Sequence, residues 1–122
     1  MDDPKLCEFQ SVLLSEGVGK YVQIEVRNAA TGAERILIRH DTESDFHIQV
    51  ADATLREAHF RGADATVLGG GRISVTGLDG DAPVVKIYGY SVQYGRADHE
   101  ITQGFIENAY PKAEVTWTND GY

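Results

Sequence analysis

Cysteine is nearly absent from this 122-residue chain: Cys7 stands alone, which excludes an intramolecular disulfide and leaves a cysteine-built zinc site without ligands. Positive charge is scarce too. Against 19 Asp and Glu there are 11 Lys and Arg, and the net charge of −8 excludes a broad basic surface for nucleic acid or an anionic membrane. An anion bound by this chain has to be caught locally. No apolar run approaches the roughly 20 residues of a membrane span. The opening MDDPKLCEFQ is acidic and mixed, without the basic-then-apolar order of a signal peptide. A cytoplasmic, soluble monomer is expected, with the first ten or so residues frayed and Cys7 an incidental thiol.

Several chemical signatures are also missing. The run Gly69-Gly70-Gly71-Arg72 has no Gly-Lys-Ser/Thr ending and no strand, Gly-x-Gly-x-x-Gly, helix order, so it is no nucleotide fingerprint. By itself it reads as a bulge or a close backbone approach in a strand. His40, His47, His59 and His99 form no i, i+4 pair with an acidic partner, and neither a metal nor another cofactor is expected. Ser91, in YGYS, has no Gly-x-Ser-x-Gly elbow and is no hydrolase nucleophile, though its hydroxyl can donate to an oxyanion.

What remains is a chain of one domain's length (1–122), 42% hydrophobic, with no repeat or linker. KYVQIEVRN (20–28) alternates, with Val22, Ile24 and Val26 on one face and Tyr21, Gln23, Glu25 and Arg27 on the other, as in a half-buried strand. RILIRH (35–40) returns as a hairpin partner with Ile36 and Ile38 inward. The period then becomes helical, with Phe46, Val50, Ala53, Leu55 and Ala58 inward, a cap at Thr42, Ser44 or Asp45, and Gly62 as the stop. His47 falls in that helix's first turn, where N–H groups lack intrahelical partners and the dipole is positive. ATVLGGGRISV and VVKIYGYSVQYG read as two strands joined by TGLDGDAP, whose Asp79 and Asp81 hydrate the turn. A second helix follows with Ile101, Phe105, Ile106 and Ala109 inward, ended by Pro111, then a last strand at 113–119 with Val115 and Trp117 on one face. The class is α/β or α+β, a mixed sheet layered with helices.

GVGKYVQIEV, LGGGRIS, KIYGYSVQYGRADHEIT and the terminal YPKAEVTWTNDGY, in that order, resemble the Janus/Ocnus family. That resemblance implies a single mixed sheet of about six strands flanked by two helices, and hydrolysis of phosphohistidine, with phospholysine as a further phosphoramidate substrate. It identifies His47 with the family's catalytic histidine, places Lys20, Arg72 and Ser91 at the phosphate, and makes Arg39 and His99 nearby supports. Phe46 stands where the family pattern has tyrosine. Backbone N–H groups of His47 and Ile48 would hold phosphoryl oxygens. His47 could act as general base on water, the favoured role, or attack phosphorus itself. The implied partners are histidine-phosphorylated proteins or peptides; the alternative is a non-catalytic module that binds phosphoproteins through the same pocket.

Overall fold

The computed structural model describes residues 9–120. In chain order it contains β1 (Val12–Leu13), β2 (Gly17–Arg27), β3 (Glu34–Asp41), α1 (His47–Phe60), β4 (Asp64–Thr76), β5 (Val84–Tyr88), α2 (His99–Ala109) and β6 (Glu114–Trp117). The strands form one mixed sheet in the order β1-β3-β2-β4-β5-β6. β2 is antiparallel to both β3 and β4, while the two outer pairs, β1 with β3 and β5 with β6, are parallel. The fold is therefore α+β, as expected, with about six strands and two helices. Two residues of β1 are too few to show a period, and that strand escapes sequence reading. Among the described residues no helix is long and apolar enough to cross a membrane. Cys7 lies outside the described residues. Phe9, within the stretch expected to fray, is buried in the core, so order is established by that residue.

The central strand is not half-buried. Val22, Ile24 and Val26 pack with Leu37 under Val50, Ala51 and Ala58 of α1. Tyr21 belongs to a second core on the opposite face with Ile38, Ile73, Ile87 and Ile106 of α2. Gln23, expected to face water, is also buried there, its Nε2 donating to Thr102 Oγ1 and to the Asp98 carbonyl, each at 3.1 Å. A helix on each face explains why polar Gln and Thr share one interior: each satisfies the other's hydrogen-bonding groups. Only toward Arg27 does the second face open to solvent.

Both helices bury part of the stripe that apolar periodicity selects, with Val50, Ala58 and Ile106 inward and Leu55 and Phe105 packed at the core's edge, but the buried stripe also takes in polar residues. On α1 the inward residues are His47, Val50, Ala51, Thr54 and Ala58, while Phe46 and Ala53 are exposed and Leu55 is only half-buried. On α2 they are His99, Thr102 and Ile106; Ile101 and Ala109 face solvent. Polar residues with specific partners turn inward and rotate each face away from the apolar stripe. Gly62 does stop α1: at φ 73° its N–H reaches the His59 carbonyl, and Ala63 N–H reaches Ala58, the paired bonds of a Schellman end. The segment expected as one strand over 84–95 ends at Tyr88, and residues beyond it turn back between Ser91 and Gly95. The last strand is shorter than 113–119, and Trp117 is half-exposed although Val115 is buried.

β4 carries the feature on which the site depends. Ile24 pairs with Val67 but Gln23 pairs with Gly69, which leaves Leu68 as an extra residue in a β-bulge. Without it, alternation from Val67 would carry Gly69 and Gly71 to the α1 face and Arg72 to the other. With it, Gly70 and Arg72 point to the α1 face, paired with Val22 and Lys20, and Gly71 points to the α2 face, paired with Tyr21. The glycines serve close approach. A Cβ on Gly70 would lie 2.8 Å from His47 Cδ2, and one on Gly71 would lie 2.8 Å from His99 Cε1 and 2.5 Å from the Tyr88 carbonyl oxygen.

Gly71→Ala is accordingly predicted to destabilise the protein by about 1–3 kcal/mol through overpacking against backbone. Gly104→Ala, in α2 with nothing within 4 Å of the added carbon, is predicted to stabilise it by about 0.4–1 kcal/mol through the unfolded state. Urea unfolding of the two variants measures both; equal midpoints would contradict the packing described.

Candidate active site

The first turn of α1 is held by a neighbour rather than by its cap residue. Phe46 occupies the N-cap position and offers no side-chain acceptor; the Gln49 side chain reaches back instead, accepting from Asp45 N–H and Phe46 N–H, each at 2.9 Å. Ser44 is engaged elsewhere, donating to Asp41, so none of Thr42, Ser44 and Asp45 caps the helix. The consequence is that His47, as first helical residue, is placed rigidly over Gly70.

His47 is buried, and its Nε2 lies 2.9 Å from the Gly71 carbonyl oxygen. A carbonyl only accepts, so Nε2 carries the proton and Nδ1 is the unprotonated nitrogen of the neutral ring. Burial pushes the His47 pKa below the ordinary histidine range; the Gly71 bond opposes this, and the charges of Lys20 and Arg72 reinforce it. Those two cations are direct neighbours across β2 and β4, on the face that α1 covers.

Ser91 enters from the loop after β5. Its backbone is tied to Gly95 by reciprocal bonds of 3.1 and 2.8 Å, and Gly95 in turn accepts from Gly70 N–H at 3.0 Å. The loop is thus stitched onto the glycine run. Ser91 Oγ accepts from Tyr94 N–H at 3.0 Å, which leaves the hydroxyl proton to be donated elsewhere. A cavity of about 360 Å³ opens among these groups, lined by Lys20, Asp45, Phe46, His47, Ser91, Val92 and Gln93.

Of the side chains implied at the phosphate, Lys20 and Ser91 line the cavity while Arg72 does not, standing beside Lys20 in the sheet; neither implied support lines it. Arg39 lies under α1, its Nε donating to Thr54 Oγ1 at 3.0 Å and an Nη to the Ile38 carbonyl at 3.0 Å; burial lowers its pKa to about 10. It braces the helix seven residues along from His47 and does not line the cavity. His99 lies on the opposite face of the sheet, accepting from Tyr21 OH at 2.5 Å on Nδ1 and donating from Nε2 to the Gly89 carbonyl at 2.9 Å. Its contact with the site is indirect, through the loop that Gly89 begins. Ile48 is exposed and its side chain does not line the cavity but a separate surface depression with Gln49 and Asp52, so only its backbone N–H could serve an anion at the helix start. Asp45, Val92 and Gln93 were missed by sequence reading because loop residues carry no period; their neighbours Phe46 and Ser91 were the available signal.

Comparison with known proteins finds related sequences along most of the chain. The model of the Janus/Ocnus family (Ocnus) matches residues 6–114. Over 113 residues the chain is 40% identical to the 14 kDa phosphohistidine phosphatase of Homo sapiens, with 88% of each protein covered. It is 37% identical over 113 residues to the protein of that name in Sus scrofa, covering 88% of this chain and 87% of the relative. To the sex-regulated protein janus-A of Drosophila pseudoobscura pseudoobscura it is 29% identical over 127 aligned positions, covering 100% of this chain and 83% of the relative.

Burial holds His40, His47 and His99 all below the ordinary value of 6.5. The unfolded chain therefore binds more protons than the folded one just below that value. Stability is full above pH 6.5 and is predicted to fall as the pH drops through 6.5 toward the folded-state pKa values. Urea midpoints between about pH 5 and 8 test this. Lys20→Met, which removes a positive charge beside His47, is predicted to move the His47 titration upward in a ring-proton NMR experiment; an unchanged or lowered value would contradict the geometry.

Proposed function

The chain belongs to the Janus/Ocnus family, and from that membership and the cavity at the start of α1 we propose that it is a metal-independent phosphatase for phosphohistidine in proteins. The observation that carries this is the register pair Lys20 and Arg72 beside a neutral histidine whose Nε2 is fixed on the Gly71 carbonyl. Two cations near a histidine with one unprotonated nitrogen suit a dianionic phosphoryl group awaiting attack by water.

In this mechanism the phosphoryl oxygens are held by Lys20, Arg72, the Ser91 hydroxyl and the N–H groups of His47 and Ile48 at the positive end of α1. Nδ1 of His47 accepts a proton from water as the oxygen–phosphorus bond forms. The phosphorus–nitrogen bond breaks with its electron pair staying on the substrate imidazole, which leaves as a neutral ring because its other nitrogen already carries a proton. Charge on the transferred group meets donors already in place, as in phosphoryl transfer generally. Positive charge comes from the side chains, so no metal ion is required for these steps. His47 must be neutral to act as the base, which its lowered pKa supports. Phospholysine, with the same type of bond, is a second substrate of this reading, and the protein is taken as a single-domain cytoplasmic monomer.

Release of phosphate from a phosphohistidine peptide is predicted to be unchanged by EDTA and to fall by about 10²–10⁴ in His47→Ala, the range for loss of a general base. Phosphate recovered on His47 after rapid denaturation would replace the base role with a nucleophilic one. No turnover by the unaltered protein, with retained phosphopeptide binding, would reduce the site to a binding module.

A further inference from the structure

The mouth of the cavity breaks two local rules of protein structure at once. Phe46 sits at an N-cap, a position that favours Ser, Thr, Asp or Asn because their side chains accept a backbone N–H. It gains no burial in exchange, being 66% exposed. Across the same cavity, Val92 lies in the tight turn between Ser91 and Gly95, where polar residues and glycine are favoured, and is 82% exposed. A lone exposed apolar residue needs no explanation. Two that come from separate elements, contribute nothing to capping or core, and border the same cavity do need one, since such local inconsistencies are expected at functional positions.

We infer that Phe46 and Val92 form a specificity clamp that selects protein segments with an apolar residue adjacent to the phosphohistidine. The inference rests on the phosphatase reading of the cavity. Lys20, His47 and Ser91 line the phosphoryl end, and the two apolar side chains lie at its exposed edge, where the chain flanking a bound phosphohistidine has to pass. Asp45 on the same rim, in a protein of net charge −8, disfavours an acidic flank. The preferred segment is therefore apolar beside the phosphohistidine and free of acidic neighbours. A small phosphoramidate without flanking residues gains nothing from the clamp.

Two chemically phosphorylated peptides that differ only in Leu or Ser next to the phosphohistidine, with phosphoramidate itself as the flankless substrate, provide the test. The unaltered protein is expected to show about tenfold higher kcat/KM on the Leu peptide, the scale of discrimination available to an apolar contact. Phe46→Ser and Val92→Ser are each expected to reduce that Leu-to-Ser ratio at least about threefold, and Phe46→Leu to preserve it. Phe46→Ser also supplies the missing cap acceptor, so its denaturation midpoint is expected to rise, which separates lost recognition from lost folding. Equal kcat/KM on the two peptides, or a preference that survives both serine substitutions, overturns the clamp while phosphoramidate turnover leaves the phosphatase reading standing. Absence of turnover on phosphoramidate and both peptides overturns the phosphatase reading and the clamp with it.

Discussion

A single extra residue in β4 decides what this sheet can hold. Leu68 has no partner on β2, and the alternation of side chains inverts at that point. Arg72 consequently stands beside Lys20 on the face covered by α1, and Ile73 stands in the second core. Gly70 and Gly71, pointing to opposite faces, let a histidine approach the sheet from each side. The glycine run serves close approach, letting side chains and backbone of neighbouring elements come near the sheet.

Charge and burial work together at the resulting site. In a chain of net charge −8 with no broad basic surface, Lys20 and Arg72 stand as adjacent cations near a hydroxyl and a helix start. Burial and the same cations hold the His47 pKa down, and its bond to the Gly71 carbonyl leaves Nδ1 as the unprotonated nitrogen. Behind the sheet, His99 uses its two nitrogens to join Tyr21 of β2 to Gly89, so the loop carrying Ser91 is braced from the second core. The buried polar side chains thus tie the strands, the helix starts and the loop carrying Ser91 to one another.

Much of this was legible in the order of residues. The β2–β3 hairpin, both helices, the Gly62 stop and the position of His47 in a first turn follow from periodicity and end signals. The shared location of Lys20, His47 and Ser91 came from family resemblance, because residues so distant in sequence are brought together only by strand pairing. The helix faces were legible only in part: Val50, Ala58 and Ile106 are inward as their spacing implies, but His47, Thr54, His99 and Thr102 turn inward as well. The bulge at Leu68 was equally hidden, since three glycines show no alternation from which a register shift could be read. Arg39, by resemblance a support near the phosphate, is occupied by Thr54 and the Ile38 carbonyl, a contact with no local signature.

The central claim is that an anion settles at the start of α1 between the Lys20–Arg72 pair and the Ser91 loop. Backbone amide NMR during titration with inorganic phosphate at low salt tests it most directly. Progressive shifts concentrated at His47, Ile48, Ser91 and Val92, and weakening as salt is added, are the predicted result. Saturable shifts confined to another part of the sheet, with those four amides unmoved, would contradict it.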